Sequence, residues 1–266
     1  PLVIRNSDDP EGQWGIPFDA PMFPWYTEED QKKQLIKYMK ETFSVPGKLT
    51  EKAVEAGKKA QKTFQKKLKE EGAAVLERVE KENRFAVVLA SRPYQNDALV
   101  NHELPEMFAG YGIPVLTADA LPGVQEVDLG RSRLDVVNNF HARMLASAVM
   151  AAESQSLEYV QLVSFGCGHD AYLSDEIVRM MREISGKTPL ILKVDESDIQ
   201  GPLRIRVRSF LETVTMKRRR GDKTVPGELP EPYPVKFTKE DRKEKVVLVP
   251  NTCLLYTSDA ADDKAR

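Results

Sequence analysis

The chain has 266 residues, 41% of them hydrophobic and 30% charged, with a formal net charge of −2. That length supports a sizeable core, and the balanced charge excludes the basic field of a generic nucleic-acid binder. No apolar run approaches the roughly 20 residues of a membrane span and no signal-peptide pattern opens the chain, so the expectation is a cytoplasmic protein without a membrane partner.

Residues 1–26 are rich in proline, glycine and aromatic side chains without a clear period, and read as a strap. Thr27 caps a short helix running to about Thr42, with Glu28, Glu29 and Asp30 at its positive end. Thr50 reads as a second N-cap. From residue 51 to 82 apolar positions such as Ala60, Phe64, Leu68, Val75 and Val79 recur at threes and fours between lysines and glutamates. The spacing predicts a long amphipathic helix with a solvated outer face and a break at Gly72.

Alternating strands and helices follow. Residues 85–90 form a continuous apolar run, the mark of a strand buried on both faces. Strands are also expected at 113–116, 157–163 and 190–194. Helices are expected at 101–111, 134–152, 171–184 and 201–216. This order implies βαβ units and a doubly wound, mostly parallel sheet preceded by the long helix. Residues 50–220 form the α/β domain, after a strap and short helix at 1–49. Residues 221–251 read as a linker and the first strand of a further domain. The tail at 252–266 reads as non-native, which leaves Cys167 as the working cysteine.

In open α/β sheets, ligands bind beyond the carboxyl ends of the strands. Those ends carry Arg92 and Tyr94, then residues 117–119, then Cys167, then Asp195 and Glu196. Cys167 lies on a strand-to-helix turn between Gly166 and Gly168, where positive φ or close backbone approach is available and a helix start favours the thiolate. Arg92 offers a guanidinium beside the fixed φ of Pro93, either as an anion clamp or in a structural pair with Asp97 or Asp195. His102 opens a helix as a cap, ligand or proton carrier. His169, two residues from Cys167, is placed to polarise it, and His141 inside a helix pattern is expected to pack. One thiol and three scattered histidines do not give a zinc spacing. No dinucleotide turn, Walker loop or Cys-x-x-Cys pair is present.

Several ordered motifs resemble a known group: residues 91–94 (Ser-Arg-Pro-Tyr), 100–103 (Val-Asn-His-Glu), 161–168 (Gln-Leu-Val-Ser-Phe-Gly-Cys-Gly), 193–196 (Lys-Val-Asp-Glu) and 204–209 (Arg-Ile-Arg-Val-Arg-Ser). They are similar to the long 2-hydroxyacyl-CoA dehydratase activase-related proteins of anaerobes, in the region that is like a dehydratase D component. Ser91, Gln95 and Glu103 stand where relatives usually have glycine, histidine and glycine.

The resemblance implies domains that hold iron–sulfur clusters through cysteine thiolates, with ATP handled only by modules outside this stretch. It makes Cys167 the candidate cluster ligand and Arg92, His102, Asp195 and Glu196 candidate lining residues, beside Tyr94, Gly166 and Gly168. A cubane cluster normally takes four thiolates. The expectation is therefore a shared cluster, completed by cysteines from missing domains or a second subunit, in an electron-transfer component of an ATP-driven reductase or dehydratase-activating system, with a dehydratase partner or an acyl-CoA substrate. The alternatives are a cluster-free binding domain of the same fold and a thiol enzyme using Cys167 with His169.

Overall fold

A computed structural model of the chain describes residues 9–23, 26–136, 138–164, 167–194, 200–222 and 224–227, together with Lys239 and Lys243. Helix α1 (Pro10–Trp14) is a short turn within the strap. Helix α2 (Glu28–Phe43) begins at the expected cap, where the Thr27 side chain accepts from the amide of Asp30. Helix α3 runs unbroken from Gly47 to Lys81, and two expectations are corrected there. It starts before Thr50, which is buried in its first turn. It also passes straight through Gly72, where a Cβ would stand 1.9 Å from the Ala120 carbonyl oxygen. The glycine therefore serves close approach of the helix to the chain beside it, and not a break.

Helices α2 and α3 pair along their charged faces, with Lys58 bonded to Glu28 at 2.8 Å and Lys32 to Glu51. No side chain of α2 is buried. Exposed pairs of this kind contribute about 0–1 kcal/mol each, so the hairpin is a solvated arm.

Four strands form an all-parallel sheet in the order β2-β1-β3-β4. They are β1 (Ala86–Ala90), β2 (Val115–Thr117), β3 (Leu157–Ser164) and β4 (Leu190–Val194). Helix α4 (Ala98–Asn101) and α5 (Leu104–Gly110) follow β1, and α6 (Asn139–Glu153) follows β2. Helix α7 (Gly168–Ser185) follows β3 and α8 (Gln200–Arg220) follows β4.

Alternation along β1 sends Ala86, Val88 and Ala90 into a core with Met144 and Leu145 of α6, Ile177 of α7 and Val79 of α3. It sends Val87 and Leu89 into a second core with Leu104 and Phe108 of α5 and Val207 and Leu211 of α8. Helices cover both faces, as the expected doubly wound class requires.

Several boundaries differ from the sequence reading. The single helix expected at 101–111 is two helices, because His102 and Glu103 adopt left-handed backbone, at φ 55 and 57. His102 therefore sits on the corner between them and opens neither. Helix α6 starts at Asn139, after a longer loop than expected, and α8 continues through Arg220. The expected strand at 245–250 lies outside the described residues.

Candidate functional site

The chain turns back on itself in the sheet between β1 and β3. From β1 the connection runs outward to β2, and from β3 it runs the other way to β4. The carboxyl ends of β1 and β3 are thus the topological switch point, where such sheets form their binding crevice. Arg92 follows β1 and Cys167 follows β3, and the two meet.

Cys167 is the N-cap of α7, with its carbonyl accepting the first helical bond from Ala171 at 3.2 Å. Its side chain is partly exposed. Arg92 Nη2 lies 2.6 Å from Cys167 Sγ and donates at 2.9 Å to Asp170 Oδ1. Asp170 is 3% exposed, and its Oδ2 accepts from the amide of Ser164 at 2.9 Å. One carboxylate therefore ties the end of β3 to the start of α7 and holds Arg92 against the sulfur. The sequence offered Asp97 or Asp195 as partners for Arg92. Asp97 instead caps α4 through the Leu99 amide, and Asp195 lies outside the described residues.

The Arg92 loop is latched from below by Gln95, which is buried. Its Oε1 accepts from the Arg92 amide at 2.9 Å, and its Nε2 donates to Ser164 Oγ at 3.1 Å. The Tyr94 hydroxyl reaches Ser164 Oγ at 3.3 Å and Arg92 Nη1 at 3.5 Å. Tyr94 and Gln95 make the loop after β1 one unit with the end of β3.

The electrostatics follow from this geometry. The amide of Asp170, together with the Arg92 guanidinium and the amide of His169, holds the Cys167 thiol below its ordinary range, against burial and the Asp170 carboxylate. Burial opposes the charge of Arg92, but Cys167, Asp170 and Tyr94 more than offset it and raise its pKa. The site is a thiol–guanidinium–carboxylate triad at a helix N-terminus, with the thiol pKa lowered.

Of the two histidines His141 and His169, His169 departs from the sequence expectation. The His169 ring bonds the Tyr172 hydroxyl through Nδ1 at 2.8 Å and stacks on His141 at 5.8 Å, so its backbone, and not its imidazole, faces the sulfur. His141 is packed, as expected, at 5% exposure, and its Nε2 has no bonding partner. Burial, then Arg92 and His169, lower its pKa, so the imidazole is held neutral. Gln161, two residues beyond Tyr159 on β3, is fully buried with both amide atoms unpartnered.

Of the other sequence candidates, Gly168 is the first residue of α7. A Cβ there would meet nothing within 4 Å, so neither close approach nor positive φ requires it. Gly166, Asp195 and Glu196 lie outside the described residues. His102 is on the α4–α5 corner.

Among the described residues no group of three His, Cys, Asp or Glu side chains is arranged to hold a metal ion. The donor set offers one thiolate, against the four that a cubane normally takes. These residues therefore do not fit a complete iron–sulfur cluster.

Fold and site together define a doubly wound α/β domain with an activated cysteine at its switch point. A family model described as the CoA enzyme activase uncharacterised domain (DUF2229) matches residues 1–121, and over that part the resemblance to activase-related proteins holds. The matched part carries the hairpin, β1, β2 and the Arg92 loop. Neither the curated proteins nor the solved structures give a match. No helix among the described residues is long and apolar enough to cross a membrane.

Proposed function

We propose that this chain is an iron–sulfur-associated electron-transfer component of a 2-hydroxyacyl-CoA dehydratase-activating system, working with a dehydratase partner, and that Cys167 contributes one thiolate to a shared cluster. The remaining thiolates belong to another segment or a second subunit. The observation that carries this reading is the placement of the Cys167 sulfur, partly exposed and with a lowered pKa, 2.6 Å from Arg92 at the switch point. A thiol whose pKa is lowered gives up its proton to ligate more readily than an ordinary one. The match of residues 1–121 to a CoA enzyme activase domain supports the choice of system. Asp170 fixes Arg92, and Arg92 offsets negative charge gathered at the sulfur.

The test is anaerobic reconstitution with ferrous iron and sulfide. The chain alone should retain little stable iron. With the cysteine-bearing segment or subunit that completes the site, it should acquire a cluster whose iron content falls in Cys167→Ala. Unchanged iron content in that variant would remove Cys167 as a ligand.

The lone thiolate also favours a second reading, a cluster-free domain of the same fold that grips an acyl-CoA or a partner protein through Arg92. It predicts no iron under any reconstitution and a near-neutral Cys167→Ser.

A further inference from the structure

A cleft of about 1020 Å³ opens at the amino edge of the sheet, on the far side of the molecule from Cys167. It lies where β1, β3 and β4 begin and α8 ends. Strand β3 is eight residues long, so the two edges are separated by roughly 26 Å of strand. Ligand crevices of such sheets normally lie at the carboxyl edge, so the amino-edge cleft is not explained by the fold.

Its lining has two characters. Phe85, Ile113, Phe210 and Val214 give it an apolar side. Against this stand, among the described residues, five cations, Arg84, Lys187, Lys217, Arg218 and Arg219, and two lining carboxylates, Glu158 and Asp222. Three of the cations are fixed by the backbone, and Arg84, which donates to the Gly112 carbonyl, is also paired with Glu82 at 3.0 Å. Lys187 is buried and donates to the carbonyls of Ala151, Ser154 and Leu157 at 3.0, 2.6 and 2.8 Å, with Glu158 at 3.7 Å. Arg218 lies over the Phe85 ring at 5.5 Å and donates to the carbonyls of Gln155 and Arg84 at 2.6 and 3.1 Å. Carbonyl partners hold a guanidinium in place without cancelling its charge. Lys217 and Arg219, on either side in the same turn, are exposed. The negative end of the α8 dipole accounts for some of this positive charge, but such a contribution is only about 0.3–1 kcal/mol per cation. It also does not explain the apolar cleft beside them.

We propose that the cleft binds a phosphorylated nucleoside. Lys217 and Arg219 take the phosphates, the fixed Arg218 supplies a standing positive charge, and the partly exposed Phe210 ring supports the base. Clustered Lys and Arg match a multiply charged phosphate group. A flat apolar ring matches the aromatic side. The volume is at the upper end of ordinary ligand pockets, roughly 300–1000 Å³. This assignment is independent of Cys167 and stands or falls without it.

Calorimetric titration of the whole chain with ADP, adenosine and sodium pyrophosphate tests it. ADP should bind saturably and at least about tenfold more tightly than either half-ligand, a difference of about 1.4 kcal/mol. The Lys217→Ala/Arg219→Ala double variant, both positions exposed, should weaken ADP by about tenfold or more with the circular dichroism spectrum unchanged. Phe210→Leu should weaken ADP and leave pyrophosphate unaffected. The proposal is overturned if ADP binds no better than pyrophosphate, which would mark a plain anion patch. It is overturned equally if the double variant binds ADP as the parent does, or if a poly-glutamate peptide binds and ADP does not.

Discussion

The two edges of the sheet handle buried charge in opposite ways. At the carboxyl edge Arg92 is shared between a carboxylate and a sulfur, and the sulfur is left partly exposed with its pKa lowered. At the amino edge Lys187 and Arg218 are spent on backbone carbonyls, which pin the end of α6 and the starts of β1 and β3 to α8 and the turn after α7. Burial lowers the Lys187 pKa and raises that of Glu158, each restrained by the other. The first arrangement prepares a group for chemistry, and the second closes a structure. Both depend on a charged side chain that the fold cannot lose cheaply.

Removing one partner at each edge gives the largest expected effects. Asp170→Asn leaves Arg92 without its carboxylate, and Lys187→Met leaves Glu158 and three carbonyls uncompensated. Each should cost about 3–5 kcal/mol in urea unfolding. The comparison sharpens in the thiol. Asp170→Asn removes both a charge beside the thiol and the carboxylate that holds Arg92 against it, so the Cys167 titration should move, whereas Lys187→Met should leave it unmoved.

A smaller effect of opposite sign is expected beneath the carboxyl edge. Gln161 pays for two unpartnered amide atoms in full burial, so Gln161→Met should stabilise the fold by about 1–3 kcal/mol in the same assay. Smaller again is Glu103→Gly. Glu103 sits at φ 57, and relief of the left-handed penalty should gain about 1 kcal/mol, less glycine's entropic cost, read as a raised Tm.

Stability should also carry a pH signature. The folded pKa of Cys167 is depressed, so its thiolate contributes fully above the unfolded thiol value of about 8.5, and that contribution is lost as pH falls through the folded pKa. The stability gap between the parent and Cys167→Ser should therefore widen as pH rises through that window.

Much of the fold was legible because it is local. The two-faced burial of β1 is written in its apolar run, the solvated arm in its Lys/Glu spacing, and the cap of α2 in Thr27. Placing strand ends on one edge put Arg92 and Cys167 on the same rim, but neither their contact nor its third member was legible. Asp170 is 78 residues from Arg92, and only its position in the first turn of a helix, where a carboxylate favours the dipole, marked it in the sequence. Gln95 was equally hidden, since a buried amide latching two loops has no periodic signature. The α4–α5 corner was missed because Glu103 occupies a left-handed position that glycine would have advertised. Sheet order, and with it the switch point, is a property of pairing between distant segments and has no local mark.

The account rests on Cys167 being a thiolate made by Arg92 and the first turn of α7. Its most direct test is a titration of Cys167 by ultraviolet thiolate absorbance and by iodoacetamide rate, in a Cys253→Ser background, with and without Arg92→Met. The thiol should ionise below the ordinary range near 8.5 and shift upward in Arg92→Met. An ordinary titration that Arg92→Met leaves unmoved would contradict it.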